Sequence, residues 1–257
     1  MRSVYAQTIL PDEVIVVDDG SSDATKDILH DFPEIIYIYQ KNQGVSSARN
    51  RGIEKASYEW IAFLDSDDVW HKEKLEKQKN FHLQNLTCKV SYTDEIWIRN
   101  AQEVKIPKKF HKIGKNTFLE NSEYCNIAPS SVMIHKSIFD EIGLFDVSFE
   151  VCEDYDLWLR IASKHHIELL NEKLLYKYAG EDEQLSFRHW GMDRWRVKAL
   201  EKYSGDTYIQ EVRNILLKKY TLLLKGALKY DKIAFINKYE QKIHNLKDTF
   251  ETDNSRK

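Results

Sequence analysis

EVIVVDD (residues 13–19), EIIYIYQ (34–40) and YEWIAFLD (58–65) are three apolar runs of strand length, each rich in β-branched or aromatic residues. Between them lie SSDATKDILHDF (21–32), with Ser and Asp caps ahead of an apolar-spaced segment, and GVSSARNRGIEKA (44–56), which reads as a second helix. The rhythm is β-α-β-α-β, that of an α/β fold with a mostly parallel, doubly wound central sheet. Ligands of such sheets bind beyond the carboxyl ends of the strands. Both acidic clusters, Asp18/Asp19 and Asp65/Asp67/Asp68, fall at those ends. Carboxylates this close repel one another, so a cation or hydrogen-bond donors are expected among them.

Outward from this core, residues 72–85 read as a helix, after which the alternation gives way to shorter strands (KVSYTDEIWIRN, 89–100; SSVMIHK, 130–136) and a basic loop around residues 105–115. EDYDLWLRIASKHH (153–166) is an amphipathic helix with Tyr155, Leu157, Trp158, Ile161 and Ala162 set to face inward. From residue 190 the chain reads as helical, with about fifteen basic against about nine acidic residues. The division expected is a domain over 1–189 and a helical extension over 190–257.

Composition sets limits. A net charge of -3 over 257 residues argues against general nucleic-acid binding. Cys88, Cys125 and Cys152 are odd in number and lack zinc spacing, which fits a reducing cytoplasm. No apolar run reaches spanning length and the first residues lack a signal-peptide core, so the expectation is a cytoplasmic chain. Its basic helical end admits two readings, contact with the inner face of a membrane or packing with lysines in solvent.

The spacing of Asp65 and Asp67 suits Mg2+ or Mn2+, which bind one or two carboxylates together with substrate phosphates. The alternative is a strand end followed by an Asp68 helix cap. The ordered series VIVVDDGSSD, NQGVSSARNRGI, WIAFLDSDD and EDYDLWLRIA resembles the family 2 glycosyltransferases, inverting enzymes of the GT-A (Rossmann-like) fold, over residues 3–190. That resemblance implies a nucleotide-diphosphate sugar donor, commonly a UDP-sugar, a glycan or glycolipid acceptor, and a role in cell-surface polysaccharide or lipopolysaccharide synthesis. Matched position by position, it makes Asp19 the nucleobase partner with Asp18 shaping that pocket, and places Arg49 and Asn50 along the base and phosphate side. Asp65 becomes the ribose partner, Asp67 the metal ligand and Asp154 the catalytic base. Gln184 and Arg188, with His189, fall in a loop that closes over the donor phosphates.

Each residue also has a plainer reading: turn and cap for Asp18 and Asp19, solvated helix face for Arg49 and Asn50, first-turn acids for Glu153 and Asp154. The chain departs from the family pattern in two places. AGEDEQLS (179–186) differs from the usual loop, and RSVYAQT stands at the start where the family has a preceding strand and loop; two readings stay open, a true start further upstream, or a loss that exposes strand edges and impairs folding or activity. Three further readings stay open: a nucleotide-sugar-binding remnant without turnover, a Mg-dependent phosphohydrolase, and a receiver-like acidic pocket.

Overall fold

The computed structural model describes residues 1–32, 34–114, 117–178 and 191–254. The chain divides into two compact units, residues 1–184 and 185–257.

In the first unit the short helix α1 (Arg2–Tyr5) precedes β1 (Ile15–Asp18), α2 (Thr25–Leu29), β2 (Ile36–Tyr39), α3 (Val45–Lys55) and β3 (Trp60–Ala62). This is the alternation expected, and β1 pairs parallel with β2. Helix α3 starts after Gly44, whose φ of +88° favours glycine. Its Gly52 lies against β1, where an added Cβ would make an ordinary contact, 3.7 Å from Val17 Cγ2.

A second sheet has the order β3-β7-β5-β8-β4, formed with β4 (Asp68–Trp70), β5 (Val90–Arg99), β7 (Met133–His135) and β8 (Glu168–Tyr178), and β6 (Gln102–Val104) pairs with β5. The α/β class is as expected, but the pairing is mixed. Among the described residues only β1–β2 and β5–β8 are parallel, and the other pairs are antiparallel. Of the antiparallel pairs, β5–β6 is joined by a hairpin, whereas β3–β7, β5–β7 and β4–β8 join strands separated by other elements, so their direction is not set by a local connection. Asn100 and Ala101, both at positive φ, close the β5–β6 hairpin, while the chain turns at Asp65, whose carbonyl accepts from the Asp68 amide.

The second sheet is covered on both faces. Ile134 points into a cluster with Ile53, Phe63, Tyr92, Leu157 and Trp158, and its neighbour Met133 into another with Val4, Trp70, Leu75 and Leu175. Helices α4 (Lys74–Gln84), α5 (Thr117–Glu123), α6 (Ser137–Ile142) and α7 (Glu153–Ala162) complete the unit. Helix α7 buries Tyr155, Leu157, Trp158 and Ile161, as its pattern predicted, and Leu159 as well.

The second unit consists of α8 (Asp193–Glu201), α9 (Ile209–Lys229) and α10 (Ile233–Asn254). Val197, Leu200, Val212, Leu216, Tyr220 and Tyr239 are buried. Among the described residues no helix is long and apolar enough to cross a membrane.

Candidate active site

The carboxyl ends of β1 and β3 and the amino end of α7 supply the acidic residues. Asp18 is buried, accepting from the Tyr37 hydroxyl at 2.6 Å and the Ser21 amide at 2.7 Å. The Tyr37 bond chiefly holds its carboxyl below the usual range, against burial. Asp19 accepts from Gln40 Nε2 at 2.7 Å and from the Gln43 and Gly44 amides at 2.8 Å each. Asp19 therefore fixes the loop into α3 while Asp18 ties the end of β1 to β2, and a carboxylate's remaining lone pairs stay available to a ligand.

Arg49, projecting from α3, is the centre of the site. One guanidinium nitrogen donates to Asp65 at 2.7 Å and the other to Glu153 at 2.6 Å, with the Arg49 side chain only 11% exposed. Burial alone would lower this guanidinium's pKa, but Asp65 and Glu153 outweigh it and hold it above its ordinary value. The group also lies over the Phe145 ring, 5.3 Å from its centroid. Asn50, one residue on, donates its amide to the Phe145 carbonyl at 2.8 Å and accepts from the Phe145 amide at 2.9 Å. That bond pair gives Asn50 a structural task that its motif does not reveal: it ties α3 to the chain ahead of α7.

Helix α7 begins after Cys152, held at φ +62°. Burial, then the neighbouring Asp154, pushes the Glu153 carboxyl up to about 7, against the pull of Arg49. Asp154 accepts from the Tyr155 amide at 2.7 Å and from the Cys125 thiol at 3.4 Å. Burial pushes the Cys125 thiol up and Asp154 adds to the shift, so the sulfur keeps the proton it donates.

Lys177 on β8 completes the charge pattern. It pairs across the ladder with Asp68, and burial alone would lower its ammonium, but Glu95, Asp68 and Asp154 outweigh that effect. Asp68 is pushed up to about 7, mainly by burial, with Ser130 and Lys177 opposing. Sequence reading missed Glu153 as a clamp partner and both Lys177 and Cys125 as neighbours of Asp154. The one signal for Lys177 was a lysine directly after the apolar run Leu174–Tyr176 within β8.

Asp67 is exposed and makes no hydrogen bond or ion pair among the described residues. Nor do three His, Cys, Asp or Glu side chains converge as a metal cage there. One free carboxylate beside a second is nonetheless the donor set on which Mg2+ or Mn2+ binds with substrate phosphates, so these residues fit such an ion. Gln184 and Arg188 lie outside the described residues, as does His189.

Comparison with known proteins gives consistent findings. The family model described as glycosyl transferase family 2 matches residues 1–143. A glycosyltransferase of Rickettsia conorii is 33% identical over 179 residues, which is 68% of this chain and 29% of that protein, so the chain spans under a third of that relative's length. TuaG of Bacillus subtilis, described as a putative teichuronic acid biosynthesis glycosyltransferase, is 30% identical over 74% of this chain and 76% of its own. WfaP of Escherichia coli, described as a β-1,3-glucosyltransferase that uses UDP-Glc and a GlcNAc-diphosphoundecaprenol, is 33% identical over 69% of each chain. Among solved structures, residues 1–349 of S. aureus TarS in complex with UDP-GlcNAc superpose with a TM-score of 0.66 at 20% identity, covering 85% of this chain and 66% of that one, a likeness of fold.

Proposed function

Because the chain belongs to the family 2 glycosyltransferases, we propose that it transfers a sugar from a UDP-sugar to a hydroxyl of a glycan or glycolipid acceptor, with inversion, in cell-surface polysaccharide assembly. The observation that carries this reading is the two-way ion pair of Arg49, which holds the strand end bearing Asp65 and Asp67 to the helix start bearing Asp154. Donor-side and acceptor-side groups thereby border one charged rim. The UDP donor and lipid-linked acceptor are supported by what WfaP is described as using and by the UDP-GlcNAc bound to TarS.

In the proposed reaction Asp154 takes the acceptor proton as the hydroxyl oxygen attacks the anomeric carbon. The bond from that carbon to the diphosphate oxygen breaks on the opposite side, its electron pair leaves with UDP, and the configuration inverts. The Cys125 thiol and the Tyr155 amide orient the Asp154 carboxylate. Asp19 and Asp18 border the base, and Asp65 the ribose. Mn2+ or Mg2+ at Asp67 would supply Lewis-acid stabilisation of the departing diphosphate. Gln184 and Arg188 are assigned to the donor phosphates on the family resemblance alone. The phosphohydrolase and receiver readings are set aside, since the family model spans 1–143.

The test is a transfer assay with UDP-glucose and UDP-N-acetylglucosamine on an undecaprenol-diphosphate-linked acceptor, with product configuration read by NMR. A β-linked product from the α-linked donor, formed only with divalent cation, supports the reading. Retention of configuration, or inorganic phosphate as the sole product, counts against it.

A further inference from the structure

The turn between α9 and α10 presents apolar side chains that its own fold does not need to expose. Leu228, Tyr230 and Ile233 are 55%, 66% and 65% exposed, within six residues of one another. The backbone there is fully organised. The Lys232 amide donates to the Ala227 carbonyl and the Asp231 amide to the Leu228 carbonyl, a Schellman ending with Asp231 at φ +50°. These side chains therefore stand out from a well-formed helix end, and burying them is a gain that the unit leaves unused.

Exposed Lys225, Lys229 and Lys232 surround them, and the Lys229 ammonium lies 5.3 Å from the Tyr230 ring centroid. From Val212 to Tyr239 the only acid is Asp231, against seven lysines and arginines. Charge of a single sign decides between occupants. A second copy packed about a twofold axis would set these lysines against each other, which disfavours self-association. A layer with an apolar interior and anionic phosphates at its surface complements both halves of the pattern, with aromatic and aliphatic tips at headgroup level and lysine stems reaching to phosphate.

We propose that the α9–α10 turn is a docking surface for anionic lipid bilayers, with Leu228, Tyr230 and Ile233 entering the headgroup region and Lys225, Lys229 and Lys232 contacting lipid phosphates. This stands apart from the transferase reading and is tested without any sugar donor. The full chain is sedimented with vesicles of phosphatidylcholine alone and of phosphatidylcholine containing about 30 mol% phosphatidylglycerol. Binding is expected to the anionic vesicles at low salt, at least about tenfold weaker on neutral vesicles or at about 0.5 M salt. Leu228→Glu/Ile233→Glu should lower it about tenfold, and Lys225→Gln/Lys229→Gln/Lys232→Gln should remove its salt dependence. Asp231→Asn, which tolerates positive φ, should strengthen it about fivefold. Circular dichroism checks that each variant remains folded. No sedimentation with anionic vesicles at low salt overturns the proposal. So does binding indifferent to the tip substitutions, or a dimer in gel filtration that the same substitutions abolish.

Discussion

Replacing Arg49 with methionine removes the cation that Asp65 and Glu153 share while leaving an apolar stem over the Phe145 ring. The Asp65 side chain is 33% exposed, so its half of the clamp is worth about 1 kcal/mol or less. Glu153 is 9% exposed and governs the outcome. Its carboxyl already stands at about 7 with Arg49 in place, against about 4.3 in an unfolded chain, which makes ionisation in the fold cost about 3–4 kcal/mol. Without Arg49 that pKa moves higher. A carboxyl raised in this way contributes its full stability below about pH 4 and loses it as pH climbs through the folded value. In the parent protein the loss is complete just above pH 7, whereas in Arg49→Met it continues at about 1.4 kcal/mol per further pH unit. Urea unfolding of both proteins from about pH 6 to about pH 9 should show a gap of about 1–2 kcal/mol at the acid end that widens by about 2 kcal/mol at the alkaline end. By thermal unfolding each kcal/mol corresponds to about 2–4 °C for a unit of this size. Adding Glu153→Gln should abolish the widening. A gap constant with pH would refute the claim that Arg49 balances a buried Glu153.

Two other perturbations test the scaffold. Asn50→Ala strips the Phe145 amide and carbonyl of their partners and should cost about 1–3 kcal/mol in urea unfolding; a loss below about half a kcal/mol would show that the clamp between α3 and the α7 approach is dispensable. Lys74, fully buried over Trp70 and bonded to Gln78, is lowered to about 7 by burial, so its stability contribution is full above the unfolded value near 10.4 and is lost as pH falls toward 7. That loss is about 2 kcal/mol between about pH 9 and about pH 7, and Lys74→Met should flatten this part of the stability curve; an unchanged slope would mean that Lys74 is not the group titrating.

What was legible in the sequence follows from interaction range. Apolar period alone located β1, β2, β3 and the buried stripe of α7, because each pattern is local. The polarity break after each strand located Asp18, Asp19, Asp65 and Asp67 for the same reason. The partners that give these acids their chemistry stand far off along the chain: Arg49 and Glu153 are 104 residues apart, and Asn50 and Phe145 are 95. No local pattern encodes such pairs. Glu153 therefore read as a first-turn acid favoured by the helix dipole, whereas in the fold it faces a guanidinium from another helix. Lys177 was hidden similarly, since only the β8 register brings it opposite Asp68. The mixed sheet escaped because the antiparallel pairs β3–β7, β5–β7 and β4–β8 join strands with other elements between them, and no local pattern records the direction of such pairs.

The central claim is that Asp154 activates the acceptor beside a nucleotide site that other residues form. The most direct measurement pairs UDP titration calorimetry in Mn2+ with sugar turnover, for the parent protein and Asp154→Asn. The account predicts nucleotide affinity within about threefold of the parent and turnover reduced by about a hundredfold to ten-thousandfold. Turnover near the parent level in Asp154→Asn, with binding intact, would contradict it.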